Sequence, residues 1–143
     1  MKKNVLIFIL IVLIICCVFT LNEFYMKKTG KAKLPNITIK EGTLSNTSAT
    51  IIITDNISSH IYGEWFRIDE KVNEKWEEVS RLIDNDNWHL IGYTIDKNDK
   101  IELDEDWSNI YGELKPGKYR IVKSYITKNS SKKNYVYAEF TIE

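Results

Sequence analysis

Tyr111-Gly112-Glu113-Leu114-Lys115-Pro116-Gly117-Lys118-Tyr119-Arg120-Ile121-Val122-Lys123 is the most strongly patterned run in the chain. It opens with an aromatic and a glycine, reverses at Pro116-Gly117, and leaves as a strand with apolar positions on both faces. Proline presets the turn backbone and glycine completes the reversal at little steric cost. A tyrosine just past such a turn, two residues before an inward position, fits a tyrosine corner, whose phenol hydrogen-bonds back to the backbone preceding it. On that reading Tyr119 pins the turn, Ile121 fills the core and Arg120 points outward. The alternative is an ordinary Pro-Gly turn with a buried tyrosine.

Short alternating or β-branched runs surround this corner, and such runs read as strands. Asn36 to Lys40 places Ile37 and Ile39 on one face, and Ala49 to Thr54 places Ala49, Ile51 and Ile53 inward. Tyr62 to Val72 sets Phe66 and Ile68 against Trp65, Arg67 and Asp69, and Phe66 is a candidate for the aromatic facing the corner. Asn73-Glu74 then reverses the chain into Lys75 to Val79. Asp84 to Asn87 reads as a loop, Trp88 to Ile95 as a strand, and Asp96 to Asp99 as a turn. Ile101, Leu103 and Trp107 lie around a strand edged by acids, and residues 118 to 127 and 134 to 142 make the last two strands. Val136, Ala138, Phe140 and Ile142 alternate with Tyr135, Tyr137, Glu139 and Thr141. No convincing amphipathic helix follows residue 33. Strands repeated at these short intervals predict an all-β sandwich or barrel.

Ahead of this region, residues 5 to 21 carry no charge and only one polar side chain, Thr20. As a helix the run reaches about 25 Å, and Phe24, Tyr25 and Met26 extend it into the interface of a bilayer whose hydrocarbon core is ~30 Å thick. A cleaved signal peptide has a shorter apolar run and small residues at its cleavage site, whereas the first alanine here is Ala32. Neither Ile15-Cys16 nor Cys16-Cys17 suits lipidation well, so an uncleaved anchor is preferred to lipoprotein anchoring or secretion. The expected organisation is a basic N-terminus (1–4), a transmembrane signal anchor (5–26), a polar linker (27–36) and a folded domain (37–143). Counting positive charge alone favours a cytoplasmic C-terminus, but an apolar segment at the start of a chain is normally an export signal, so the domain is expected outside the cytoplasm on a single-pass anchor. The lysines at 27, 28, 31 and 33 would then lie against anionic headgroups or a polyanionic wall.

Charge is unevenly spread. Residues 34 to 113 hold 7 basic and 17 acidic side chains, residues 114 to 143 hold 7 and 2, and the two parts are complementary in a compact fold. This domain is not basic overall, which argues against a nucleic-acid partner. Both cysteines, Cys16 and Cys17, fall in the apolar segment, so the domain has neither disulfide nor reactive thiol.

The motif Tyr62-Gly63-Glu64-Trp65-Phe66-Arg67-Ile68-Asp69-Glu70-Lys71 recurs in outline at Tyr111-Gly112-Glu113-Leu114. With Lys75-Trp76, Ile91-Gly92-Tyr93, the Pro116-Gly117-Lys118-Tyr119-Arg120 run and Tyr137-Ala138-Glu139-Phe140-Thr141-Ile142, it resembles a family of bacterial immunoglobulin-like domains. These domains occur in exported or membrane-anchored proteins of Bacillus- and Clostridium-like bacteria. The resemblance implies an immunoglobulin-like β-sandwich of about 7–9 strands, with no enzymatic activity, catalytic residue or cofactor to carry over; the apolar run adds one N-terminal transmembrane helix before it.

The residues point the same way. Neither a nucleophile elbow nor a phosphate-binding glycine loop is present. His60 and His89 are isolated and read as loop or strand-surface residues, while Asp84, Asp86, Asp104, Glu105 and Asp106 read as solvated loop charge without a metal. If the third and last two strands share a sheet, its outer face gathers Trp65, Arg67, Arg120, Tyr135 and Tyr137. Exposed aromatics with arginine are typical interface anchors, and the same groups can simply cover one another. The function expected is a non-catalytic binding or adhesion module for a protein or cell-wall ligand. The alternative is a structural or regulatory single-pass protein whose sandwich senses or stiffens.

Overall fold

The computed structural model describes residues 34–83, 88, 91–96 and 99–143. The expected membrane segment, most of the linker, the loop 84–87 and His89 lie outside the described residues. Among the described residues eight strands form two sheets: β1 (Asn36–Ile39), β2 (Ser48–Asp55), β3 (His60–Val72), β4 (Lys75–Glu78), β5 (Gly92–Thr94), β6 (Asp99–Asp106), β7 (Gly117–Thr127) and β8 (Asn134–Ile142). The smaller sheet runs β1-β2-β6 and the larger β4-β3-β7-β8, with β5 also on β3. Every pairing is antiparallel.

Sequence alternation sets which way each strand faces. Ile37, Ile51 and Ile53 from the small sheet are buried with Phe66, Ile68, Ile121, Ala138, Phe140 and Ile142 from the large one. Burying one such side chain contributes about 1.5–3 kcal/mol. Two local features shape β3. Asn73 and Glu74 both take positive φ, 49° and 64°, the backbone of the two-residue turn that matches strand twist in a hairpin. At 13 residues β3 is long enough to pair with β5 near its start and β4 near its end, and its register against β7 shifts between Tyr62 and Phe66.

Tyr119 forms the expected corner. Its buried ring returns over the turn and its hydroxyl donates to the Lys115 carbonyl at 2.9 Å. A Cβ on Gly117 would meet that ring at 3.1 Å, so the glycine makes room for the tyrosine. The aromatic against Tyr119 is Phe140, with centroids 5.8 Å apart, and Phe140 stacks in turn on Trp107 at 5.7 Å. Phe66 instead approaches Trp88 and Tyr111, at 5.1 and 6.5 Å. The expectation for Phe66 failed because strand alternation gives depth but not the partner across the core.

One short element is added to those expected, and other expectations are corrected. Ser108–Tyr111 forms one helical turn, α1, ended by Gly112 at φ 75°; four residues are too few to show helical periodicity. The run Trp88 to Ile95 yields only the three-residue strand β5 among the described residues. His60 is not a surface residue: it is buried, its Nδ1 lies 2.7 Å from Asp55 Oδ2, and the same oxygen accepts the Tyr62 hydroxyl at 2.5 Å. Burial and then the Asp55 hydrogen bond push the Tyr62 phenol far above its ordinary pKa.

Glu105 is likewise buried rather than solvated. Its carboxylate accepts from Lys123 Nζ at 2.8 Å, linking β6 to β7, and Lys123 also donates to the Glu64 carbonyl at 2.9 Å. Lys123 is wholly buried at 0% exposure. Burial raises the Glu105 pKa and lowers that of Lys123, outweighing their mutual attraction. Placement of this pair follows register: Lys123 stands opposite Phe66, on the inner face.

Two outcomes are expected in urea unfolding. Tyr119→Phe removes the hydroxyl's bond to Lys115 O and its longer contact with Glu70 with little change of shape, and lowers stability by about 1 kcal/mol. Lys123→Met alone strands a buried carboxylate and costs about 3–5 kcal/mol, whereas adding Glu105→Leu recovers most or all of that loss.

Candidate functional site

β3, β7 and β8 are consecutive neighbours in the large sheet, so the five predicted residues share its outer face. Arg67 stands opposite Val122 on β7, and Val122 opposite Tyr137 on β8. Asp69 stands opposite Arg120, and Arg120 opposite Glu139. Tyr135 pairs with Ser124 one step along. Pleating then turns these side chains away from the Ile68–Ile121–Ala138 row.

Asp69 is the centre of this face. Although on the outer side, it is buried, and it holds both arginines. Arg67 Nε donates to its Oδ1 at 2.7 Å and Arg67 Nη2 to its Oδ2 at 3.1 Å. Arg120 Nε donates to Oδ2 at 2.8 Å, and Arg120 Nη2 lies 2.7 Å from the same oxygen. The fork of a guanidinium matches a carboxylate in this way, where a lysine would present only a point charge. Hydrogen bonding to Asp69 raises the Arg67 pKa further.

Aromatic rings complete the arrangement. The Arg120 guanidinium carbon lies 4.8 Å from the Trp76 ring centroid and 5.1 Å from that of Tyr137, so the cation is held between two π faces. Trp65 meets Tyr135 edge to face at 6.1 Å. Trp65 is half-buried, while Tyr135 and Tyr137 remain 58% and 53% exposed. The five predicted residues therefore form two groups, Trp65 with Tyr135, and Arg67 joined through Asp69 to Arg120, which lies against Tyr137.

Sequence reading missed two members. Asp69 is an acid at an outward strand position, a place where solvent exposure is the ordinary outcome. Its signal was the i, i+2 spacing from Arg67, which puts both on one face of a strand. Trp76 was placed on the hairpin partner, but its proximity to Arg120 depends on how β4 lies beside β3.

The array presents partly exposed rings, fixed guanidinium groups and phenol hydroxyls, groups able to stack and to hydrogen-bond. Among the described residues no group of three or more histidine, cysteine or acidic side chains is arranged to hold a metal. The family model described as a bacterial Ig-like domain matches residues 31–141. The chain belongs to that family. No curated protein is significantly similar to it. In this Ig-like domain the small sheet and the β4-β3-β7-β8 sheet enclose the core as family membership requires. Domains of this kind are generally non-catalytic and serve as binding or structural modules.

Asp69→Asn keeps the shape but removes the charge on which both guanidinium groups converge. We expect a loss of about 2 kcal/mol in thermal or urea unfolding. Arginine Nε resonances from both Arg67 and Arg120 should broaden together, because one carboxylate orders the pair.

Proposed function

We propose that this Ig-like domain is the non-catalytic binding module of a membrane-anchored, extracytoplasmic protein. Its ligand surface is the outer face bearing Trp65, Arg67, Arg120, Tyr135 and Tyr137, and its partner is a protein or a cell-wall component. The observation that carries this reading is the fixed array around Asp69, beside two tyrosines more than half exposed. Arginine is costly to order on binding because its rotamers are many. Here Asp69 and the rings have ordered both guanidinium groups already, so a partner meets a prepared surface. Trp and Tyr add large contact area for few rotatable bonds, which is why they dominate binding hot spots. Anchoring is supported by the uncharged run at residues 5–21 and by the lysines that follow it.

Tyr135→Ala with Tyr137→Ala truncates exposed rings, so the unfolding free energy should shift by no more than about 1 kcal/mol. Crosslinking on intact cells should then lose a partner captured by the parent chain. Capture unchanged by the double variant would sink this face as the binding surface. A loss of several kcal/mol would instead make the two rings structural.

A further inference from the structure

The end of the sandwich at which the chain enters carries a second charged surface, made by the β7–β8 loop. β1 begins at Asn36, whose Cα partner is Thr54, next to the Asn56–Ser59 turn. Ser59 O accepts the backbone N–H of Lys128 at 2.8 Å. The loop from Lys128 to Lys133 therefore hangs at the same end as the entry at Leu34-Pro35. It is not a loose strand of chain: Ser130 N–H donates to Thr127 O at 2.8 Å and Lys132 N–H to Ser130 Oγ at 3.1 Å. Lys128, Lys132 and Lys133 are all exposed.

Charge on this loop is of one sign. No acid occurs between Leu114 and Ala138. In the adjoining β2–β3 turn the nearest acid, Asp55, is buried and engaged by His60 and Tyr62. Asp96 and Asp99 border the β5–β6 turn at this end, with Asp99 accepting the N–H of Lys100. Leu34 adds an apolar side chain, 77% exposed, where the chain enters.

We propose that this loop is a lipid-headgroup contact, by which the Ig-like domain stands end-on against an anionic bilayer. The inference rests on the anchored reading and extends it from the anchor to the folded domain. Residues 27–36 are ten residues of polar sequence, which can reach at most about 35 Å. That reach keeps the loop within range of the ~10 Å layer in which an anionic surface attracts cations. Each lysine near such a surface strengthens attachment about fivefold, and the linker lysines keep the effective concentration of the loop high. A polyanionic wall polymer would attract the same lysines, but the tether favours the bilayer.

The lysines themselves supply the readout, since trypsin cleaves after each. The full chain is reconstituted in vesicles of neutral phosphatidylcholine alone, or with about one-third phosphatidylglycerol. We expect cleavage within 128–133 to slow by at least about tenfold on the anionic vesicles and to recover in molar salt. Lys128→Gln with Lys132→Gln leaves Lys133 as the reporter and should weaken docking about 25-fold, abolishing the difference. Equal cleavage on both vesicles, with protein retained through an alkaline wash, overturns the docking while leaving the anchor standing. Release by the wash overturns the anchored reading and the docking with it. Protection on neutral vesicles that appears only after wall polymer is added also overturns the lipid assignment.

Discussion

The fold depends on an aromatic column that joins the Pro-Gly corner to the first loop. Tyr119 caps its own turn through Lys115, stacks on Phe140, and Phe140 stacks on Trp107. Trp107 donates its indole N–H to Asn46 O at 2.8 Å, and Leu114 N–H reaches the same carbonyl at 2.9 Å. One carbonyl in the β1–β2 loop is thus shared by both ends of the α1 segment. Buried aromatic pairs contribute about 0.5–1.5 kcal/mol beyond their area. The larger consequence is geometric, because the column sets how the β7–β8 pair meets the small sheet.

Within that frame the domain treats its charges in two ways. Lys123 and Glu105 are enclosed between the sheets, where desolvation opposes them and only mutual pairing makes them tolerable. Asp69 is buried by the two arginines it binds, on a face that still reaches water through their heads and the neighbouring rings. The first arrangement specifies how the sheets align. The second orders surface groups before any partner arrives, which is the physical basis for reading that face as a recognition surface.

The strand pattern was largely legible in the chain. β1, β2, β3, β7 and β8 follow from alternation and turn chemistry, and Asn73-Glu74 forms its tight turn with both residues left-handed. The outer-face grouping followed from the same alternation once β3, β7 and β8 were assumed adjacent. Misreadings concentrated on polar residues. His60 and Glu105 looked solvated because neither type is commonly buried without a partner, and each partner is remote in role if not in sequence: Asp55 closes one strand, Lys123 crosses from another sheet. Their burial is a property of register and sheet packing.

From its residues alone this chain determined most of its strands, its corner and the direction in which most side chains point. Those depend on local backbone preference and on a two-residue period, both carried by neighbours in sequence. Only the tertiary structure decided that Phe140 rather than Phe66 faces Tyr119, that Lys123 lies inside, and that Asp69 gathers Arg67 and Arg120. Alternation assigns a side chain to a face. Which groups share that face, and at what depth, is set by the register of distant strands, and no local pattern encodes it.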